Sequence, residues 1–294
     1  DCLASYYGVE VFSPEHWRIM ENFLRTAADN GINMILTPVV TPPLDTKVGT
    51  TRSCTQLLGI EKVGEEYSFD FSLLKRWLGV CRRCNMKYIE VSHLFSQWGI
   101  KHSANIRVRE NGEESYMFGW HTDAKSPEYK AFLQQMIPAL TDFLDKEGYL
   151  ESTYFHISDE PSGEHLDAYK YAYDLITPLI GKCQTLDAIS DVSFYDMGLI
   201  PNPVTALSHL EPFLERKLDT QWAYYFCGEA HSVSNRFLAM PSYRNRIIGL
   251  QLYKHDIKGF LQWGYNFYYG QLAVKKINPY RTTSADRAFP SGDP

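Results

Sequence analysis

Tyr154-Phe155-His156-Ile157-Ser158-Asp159-Glu160-Pro161 is the stretch on which the reading of this chain turns. Tyr154 to Ile157 have the aromatic and β-branched character of a short strand, and Pro161 ends the run because proline has no N–H for a sheet ladder. Two adjacent carboxylates, Asp159 and Glu160, thus stand where a strand stops. In a barrel of alternating strands and helices the carboxyl ends of the strands carry the chemistry, so the pair is a candidate acid-base site. Asp159-Glu160-Pro161 also suits the opening of a helix, with acids and a proline in its first turn. The strand before it favours catalysis.

Outward from this stretch, strand-like and helix-like runs alternate through the chain, the pattern of a parallel sheet covered by helices. Strands are expected at Cys2 to Tyr7, Asn33 to Thr37, Tyr88 to Ser92, Tyr154 to Ile157, Gln184 to Ile189, Val204 to Ser208, Gln221 to Cys227 and Gly259 to Trp263. Ser13-Pro14-Glu15 caps a helix that runs to about Asn30, and further helices are expected from Phe71 to Cys84 and from Pro127 to Lys146. Eight strands in this length predict an α/β fold of the (β/α)8 TIM-barrel type. A doubly wound open sheet is the rival, but the glycine-rich turn usual after its first strand is absent. The connections after the second and third strands are each about 30 residues, longer than ordinary loops, and wall the same end of the barrel.

The 294 residues, 44% hydrophobic, suffice for one large domain, and residues 1–294 read as a single catalytic barrel taken from a longer chain with flanking β domains. A net charge of -6 argues against nucleic acid as a partner. No apolar run approaches a membrane span, and no signal peptide is seen, so a cytoplasmic location is expected. Six irregularly spaced cysteines predict thiols rather than a disulfide framework, and Cys81 and Cys84 form a C-x-x-C on a helix face with no second pair to complete a zinc site. No metal and no cofactor are expected.

With 20 Tyr, 16 Phe and 6 Trp, the chain is rich in flat rings that suit the C–H faces of sugars. Trp98, Trp222, Tyr225 and Trp263, at or beyond strand ends, are candidate pocket walls, with barrel core as the plainer reading. His93 stands at a strand end and suits a sugar hydroxyl or structural support. Asp187 either binds hydroxyls or caps the next turn, and Asn266 is a further strand-end polar group. His156 reads as a strand residue satisfied by hydrogen bonds.

Ordinary glycosidases place two carboxyl groups on opposite sides of the scissile bond. Neighbours on one strand approach from one side, which fits a division of labour in which the substrate's 2-acetamido oxygen attacks C1, Asp159 steadies the amide and Glu160 protonates the departing oxygen. A two-carboxylate retaining enzyme, with Glu160 as acid/base and Glu90, Asp187 or Glu229 as nucleophile, stays open, as does a catalytically inactive carbohydrate-binding barrel. Tyr154 to Pro161, Trp222 to Cys227, Ser234-Asn235-Arg236-Phe237 and Gly259 to Asn266 together resemble the catalytic domain of glycoside hydrolase family 123. The resemblance implies a retaining β-N-acetylgalactosaminidase with a (β/α)8 barrel and a substrate-assisted mechanism on a glycan or glycolipid bearing terminal N-acetylhexosamine. It further implies Asp159 as the polarising carboxylate, Glu160 as general acid/base and Tyr195 as a hydroxyl on the acetamido oxygen.

Overall fold

A computed structural model of the chain describes residues 2–281 except Trp98, Ala230, His231, Leu238, Ala239, Trp263 and Pro279. In chain order the helices and strands are α1 (Cys2–Tyr7), α2 (Pro14–Asp29), β1 (Met34–Thr37), β2 (Gly59–Val63), β3 (Glu66–Asp70), α3 (Ser72–Arg83), β4 (Tyr88–Val91), β5 (Ile106–Glu110), β6 (Glu113–Phe118) and α4 (Pro127–Lys146). They continue as β7 (Thr153–His156), α5 (Leu166–Ile176), β8 (Gln184–Ile189), α6 (Ser193–Asp196), β9 (Pro203–Ala206), α7 (Glu211–Glu215), β10 (Trp222–Tyr224), α8 (Ser242–Lys254) and β11 (Gly259–Leu261). Capping fixes where the longer helices start. Ser13 accepts from the His16 N–H at 3.2 Å and Ser126 from the Tyr129 N–H at 3.3 Å, each with proline in the next position, where its missing N–H costs nothing.

Seven strands form one parallel sheet in the order β1-β4-β7-β8-β9-β10-β11. The sheet is curled. Strands β7 and β10 are three places apart, about 14 Å in a flat sheet, yet the Tyr154 and Trp222 rings lie 5.7 Å apart and the Tyr224 hydroxyl reaches Glu160. Leu186, Ala188, Val204, Ala206 and Tyr224 pack with Met34, Tyr154, Trp222 and Leu261 on the concave face. The alternating residues, including Ile89, Val91, Phe155, Ile157 and Ile189, face the helices and join Tyr129, Phe132, Leu133, Leu140, Tyr169 and Phe194 in the main core.

The sheet does not close, which corrects the expected (β/α)8 TIM barrel: the fold is mixed α/β, an open parallel half-barrel with a separate smaller sheet. The expected first strand, Cys2 to Tyr7, is helix α1. A short apolar run has no periodicity to separate strand from helix, and here Cys2 and Leu3 pack against Ile19 of α2 and against Tyr268 and Tyr269. The chain beyond β11 returns to that helical layer: the Cys2 thiol donates to the Asn266 carbonyl and the Tyr265 hydroxyl to the Phe23 carbonyl. β1 and β11 are therefore the two ends of the sheet, and Leu36 on β1 stays 38% exposed.

The two long connections are not irregular loops. Each holds a hairpin, and β3-β2-β5-β6 make the second sheet, with β2 and β5 parallel. They are tied together beyond the strands by the Thr41–Asn105 bridge, by the Trp120 indole N–H donating to the Thr50 carbonyl, and by Gln97 Oε1 accepting from the Asp45 N–H at 2.8 Å. Both connections leave the carboxyl ends of β1 and β4, as their lengths and positions predict. Cys81 and Cys84 are buried in the α3 region, where burial pushes the Cys81 thiol up to about 12. Among the described residues no helix is long and apolar enough to cross a membrane.

Candidate active site

Asp159 and Glu160 stand three and four residues beyond His156, the end of β7, at the carboxyl end of the parallel sheet. Glu160 has φ +45, a left-handed backbone that costs a non-glycine residue about 1 to 2 kcal/mol. Its position before Pro161 narrows the backbone further. Strain of this kind persists where the surroundings dictate it, and it gathers at working sites. Here the Tyr224 hydroxyl donates to Glu160 Oε1 at 2.6 Å, across the concave face from β10. Desolvation, with the Glu160 and Asp159 charges, pushes the Tyr224 phenol well above its usual range, so it remains a donor.

The segment after the dyad is also anchored. Ser162 donates its N–H to His165 Nδ1 at 3.2 Å, and the His165 ring lies against Gly99 from the β4 connection. A Cβ on Gly99 would come within 2.9 Å of that ring, and Gly99 has φ +112, so glycine is required there on both counts.

Beneath the dyad lies a buried ionic chain. His156, the last residue of β7, places Nδ1 2.9 Å from Glu90 Oε1 and Nε2 3.5 Å from Asp187 Oδ1. Asp187 is wholly buried: its Oδ1 accepts from the N–H groups of Ile157 and Ser158, both at 2.9 Å, and its Oδ2 from the Tyr169 hydroxyl. Burial alone would lower the His156 pKa, but the Glu90 hydrogen bond and the charges of Asp187, Glu90 and Asp159 reverse this and raise it to about 9. Desolvation raises Asp187 to about 6, against the pull of His156 and its three hydrogen bonds. Asp159 goes to about 7, raised by desolvation, relieved by His156, and raised again by Glu160, Asp45 and Asp187.

His93 lies on the other face of this chain, its ring 3.9 Å from that of His156. Both its nitrogens are buried and lack hydrogen-bond partners, and burial next to His156 depresses its pKa well below the usual value. Glu90, His93 and His156 bring potential ligand atoms within 4.8 Å of one another, a grouping capable of holding a metal ion that spacing along the chain does not reveal. His156 Nδ1 is bonded to Glu90, and Nε2, without a hydrogen bond, faces the Asp187 carboxylate, surroundings that suit a proton on the ring.

The other candidates are scattered. Trp222 faces the concave interior, half-buried against Tyr154 and over Gly259. Tyr225 points to the opposite face, where its hydroxyl donates to Gln262 and its ring contacts Phe260 and the Arg236 guanidinium. Tyr195, on α6, is half-buried against the main core. Asn266 is half-buried beside α1. Asp187 supports the backbone and offers no exposed surface. Trp98 and Trp263 lie outside the described residues.

The sequence does not single out Tyr224 or Asp45, and it offers Glu90 as a possible nucleophile rather than as the partner of His156. Tyr224 has the parity of Trp222, two residues on, and so shares its inward face. Glu90 shares an inward position on β4, although its meeting with His156 depends on strand register. Asp45 reaches the rim from the β1 connection: its carboxyl is raised by desolvation, eased by Arg52 and raised by the Glu160 charge. No local signal marks it.

The family described as glycoside hydrolase 123, catalytic domain, matches the chain over residues 1–294. Among solved structures, a family 123 glycoside hydrolase from Clostridium perfringens, studied for glycolipid glycan hydrolysis, aligns with a TM-score of 0.65 at 16% identity. The alignment covers 89% of this chain and 47% of that one, so the chain spans about half the length of that enzyme. No curated protein matches. The structural likeness speaks for a common fold, and the match along the full sequence means that the chain belongs to the glycoside hydrolase family 123 catalytic domains.

Proposed function

We propose that this chain is a retaining glycosidase that releases terminal β-linked N-acetylgalactosamine with the substrate's own 2-acetamido group as nucleophile. The observation that carries the reading is the Asp159-Glu160 pair beyond the carboxyl end of β7, with Glu160 in a left-handed backbone and its carboxylate accepting from Tyr224. The acetamido oxygen attacks C1 as the bond to the leaving oxygen breaks, and the Glu160 proton goes to that oxygen. Asp159 faces the amide N–H and balances the positive charge of the oxazolinium. Water then gives a proton to Glu160 as its oxygen adds to C1, which reopens the ring with retained configuration.

The two-carboxylate alternative is disfavoured by the state of its three candidate nucleophiles. Glu90 is tied to His156, Asp187 is enclosed, and Glu229 is buried with Oε1 accepting from the Ser208 N–H at 2.7 Å. Tyr224, inward and next to the dyad, joins Tyr195 as a candidate for the hydroxyl on the acetamido oxygen. Galacto configuration follows from the family resemblance, and a glycan or glycolipid terminus is the corresponding substrate.

Aryl β-glycosides with and without the 2-acetamido group test the reading. Turnover of the N-acetylgalactosaminide, less of the N-acetylglucosaminide and none of the plain β-galactoside is expected. Rapid hydrolysis of the plain galactoside would establish the two-carboxylate mechanism. Binding of free N-acetylgalactosamine without turnover of any glycoside would make the chain a sugar-binding module.

A further inference from the structure

The ionic chain lies below the dyad, with His156 and Asp187 buried, and is built around the turn that carries it. His156 stands three residues before Asp159, and Asp187 holds the two peptide N–H groups of Ile157 and Ser158, which lead directly into Asp159. A carboxylate only accepts hydrogen bonds, and a neutral imidazole has one N–H and one lone pair. With Glu90 at 2.9 Å on Nδ1 and Asp187 at 3.5 Å on Nε2, a neutral ring would turn its lone pair toward one of two carboxylates. A ring protonated on both nitrogens presents an N–H to each: Nδ1 bonds Glu90, while Nε2 makes no hydrogen bond and meets Asp187 through charge alone.

We propose that His156 is a positioning residue for the reaction: a buried imidazolium, paired with Glu90 and set beside Asp187, that favours the ionised form of the Asp159 carboxylate and fixes the turn carrying the dyad. The inference rests on the function proposed above and deepens it. The charged and titratable groups around His156 are Glu90 from β4, His93 from the connection after β4, Asp187 from β8 and Asp159 from the turn after its own strand, with Tyr169 of α5 reaching it through Asp187. His93 brings a neutral ring rather than a competing charge. Glu160 and Asp45 add negative charge near Asp159, so without the imidazolium Asp159 would hold its proton to higher pH.

Nuclear magnetic resonance on the wild-type protein tests the first half without any turnover. The ¹⁵N shifts of His156 should show both ring nitrogens protonated from pH 5 to 8, with no titration near the ordinary histidine value of about 6.5. A neutral tautomer at pH 7 would overturn the proposal. So would Zn²⁺ added at one equivalent, if it displaced a His156 proton and bound with Glu90 and His93.

The second half is read in His156→Gln, which keeps a hydrogen-bonding side chain and removes the charge. The ¹³C carboxyl titration of Asp159 should move up by about one pH unit or more, and the acid limb of kcat/KM should move with it, a loss of about tenfold at neutral pH carried by kcat rather than KM. An unmoved Asp159 titration in a folded variant would show that His156 serves the fold alone. If that variant does not fold, wild-type Asp159 is followed above pH 7 instead, where it must stay ionised while His156 stays doubly protonated. Loss of the His156 proton in step with ionisation of Asp159 would overturn the proposal. Because the carboxyl titration needs no substrate, an inert enzyme with the predicted titrations would contradict the proposed function and leave this inference intact.

Discussion

The two halves of the parallel sheet are built from different materials. From β1 to β8 the strands are backed by α2 to α5 and the main core, and they hold the charged chain of Glu90, His156, Asp187 and Asp159. From β9 to β11 the strands are three or four residues long, the concave face is apolar and aromatic, with Trp222 and Tyr224, and α8 buries Ile248 while Tyr243, Leu250 and Tyr253 are 68%, 65% and 87% exposed. A buried ionic network needs rigid, dry surroundings for its geometry to hold. Ring surfaces tolerate looser support, because apolar contact is not directional. The charged half and the aromatic half meet beside the dyad, where the Tyr224 hydroxyl donates to Glu160.

The strongest way to break this division is at Glu160. Glu160→Gln should lower kcat by about 10²- to 10⁴-fold on substrates with poor leaving groups. Much less should be lost on aryl glycosides whose leaving group departs without a proton. Equal losses on both would remove Glu160 from the role of acid and leave the charged half without its catalytic output.

Asp159→Asn comes next, with an expected loss of about 10²- to 10³-fold in kcat, since a neutral amide cannot balance the oxazolinium. The sign of the pH dependence follows from the raised pKa of about 7. Asp159 is protonated and ineffective below that value, so wild-type kcat/KM should rise with pH up to about 7, and the residual activity of Asp159→Asn should lack that acid limb. The same limb in both proteins would assign it to another group.

Tyr224 and Tyr225 sharpen the comparison within the aromatic half, because neighbours on one strand face opposite sides. Tyr224→Phe should lower kcat about tenfold, the effect of one hydrogen bond to a charged group. Tyr225→Phe loses its bond to Gln262 and should cost about 1 kcal/mol of stability with kcat unchanged. The reverse pattern would show that the parity of β10 is misassigned. The smallest effect belongs to α8: Leu250→Lys or Tyr253→Ser should change stability by within about 0.5 kcal/mol in denaturant titration. A larger loss would mean that the sparsely packed half is covered by something beyond the described residues.

Much of this was legible in local patterns. Seven expected strands formed within a few residues of their sequence positions, because each is a short apolar run bounded by a turn or proline. Closure failed at Cys2 to Tyr7, whose six residues are too few for periodicity to decide between helix and strand. The β5–β6 hairpin carries a plain signal, Asn111-Gly112, both at positive φ, inside a connection whose length alone suggests a loop. The dyad was visible because strand, carboxylates and proline are contiguous. The Glu90–His156–Asp187 chain was not, since it needs the register of three strands that lie about 66 and 30 residues apart in sequence.

The central claim, that the substrate supplies its own nucleophile, is tested most directly by the kcat/KM series for an aryl β-N-acetylgalactosaminide and its mono-, di- and trifluoroacetyl analogues. Fluorine withdraws electron density from the attacking amide oxygen, so the account predicts a steep fall with each fluorine, to a small fraction of the parent rate. A rate constant unchanged across the series would contradict it, because the acetamido oxygen would then take no part in bond formation at C1.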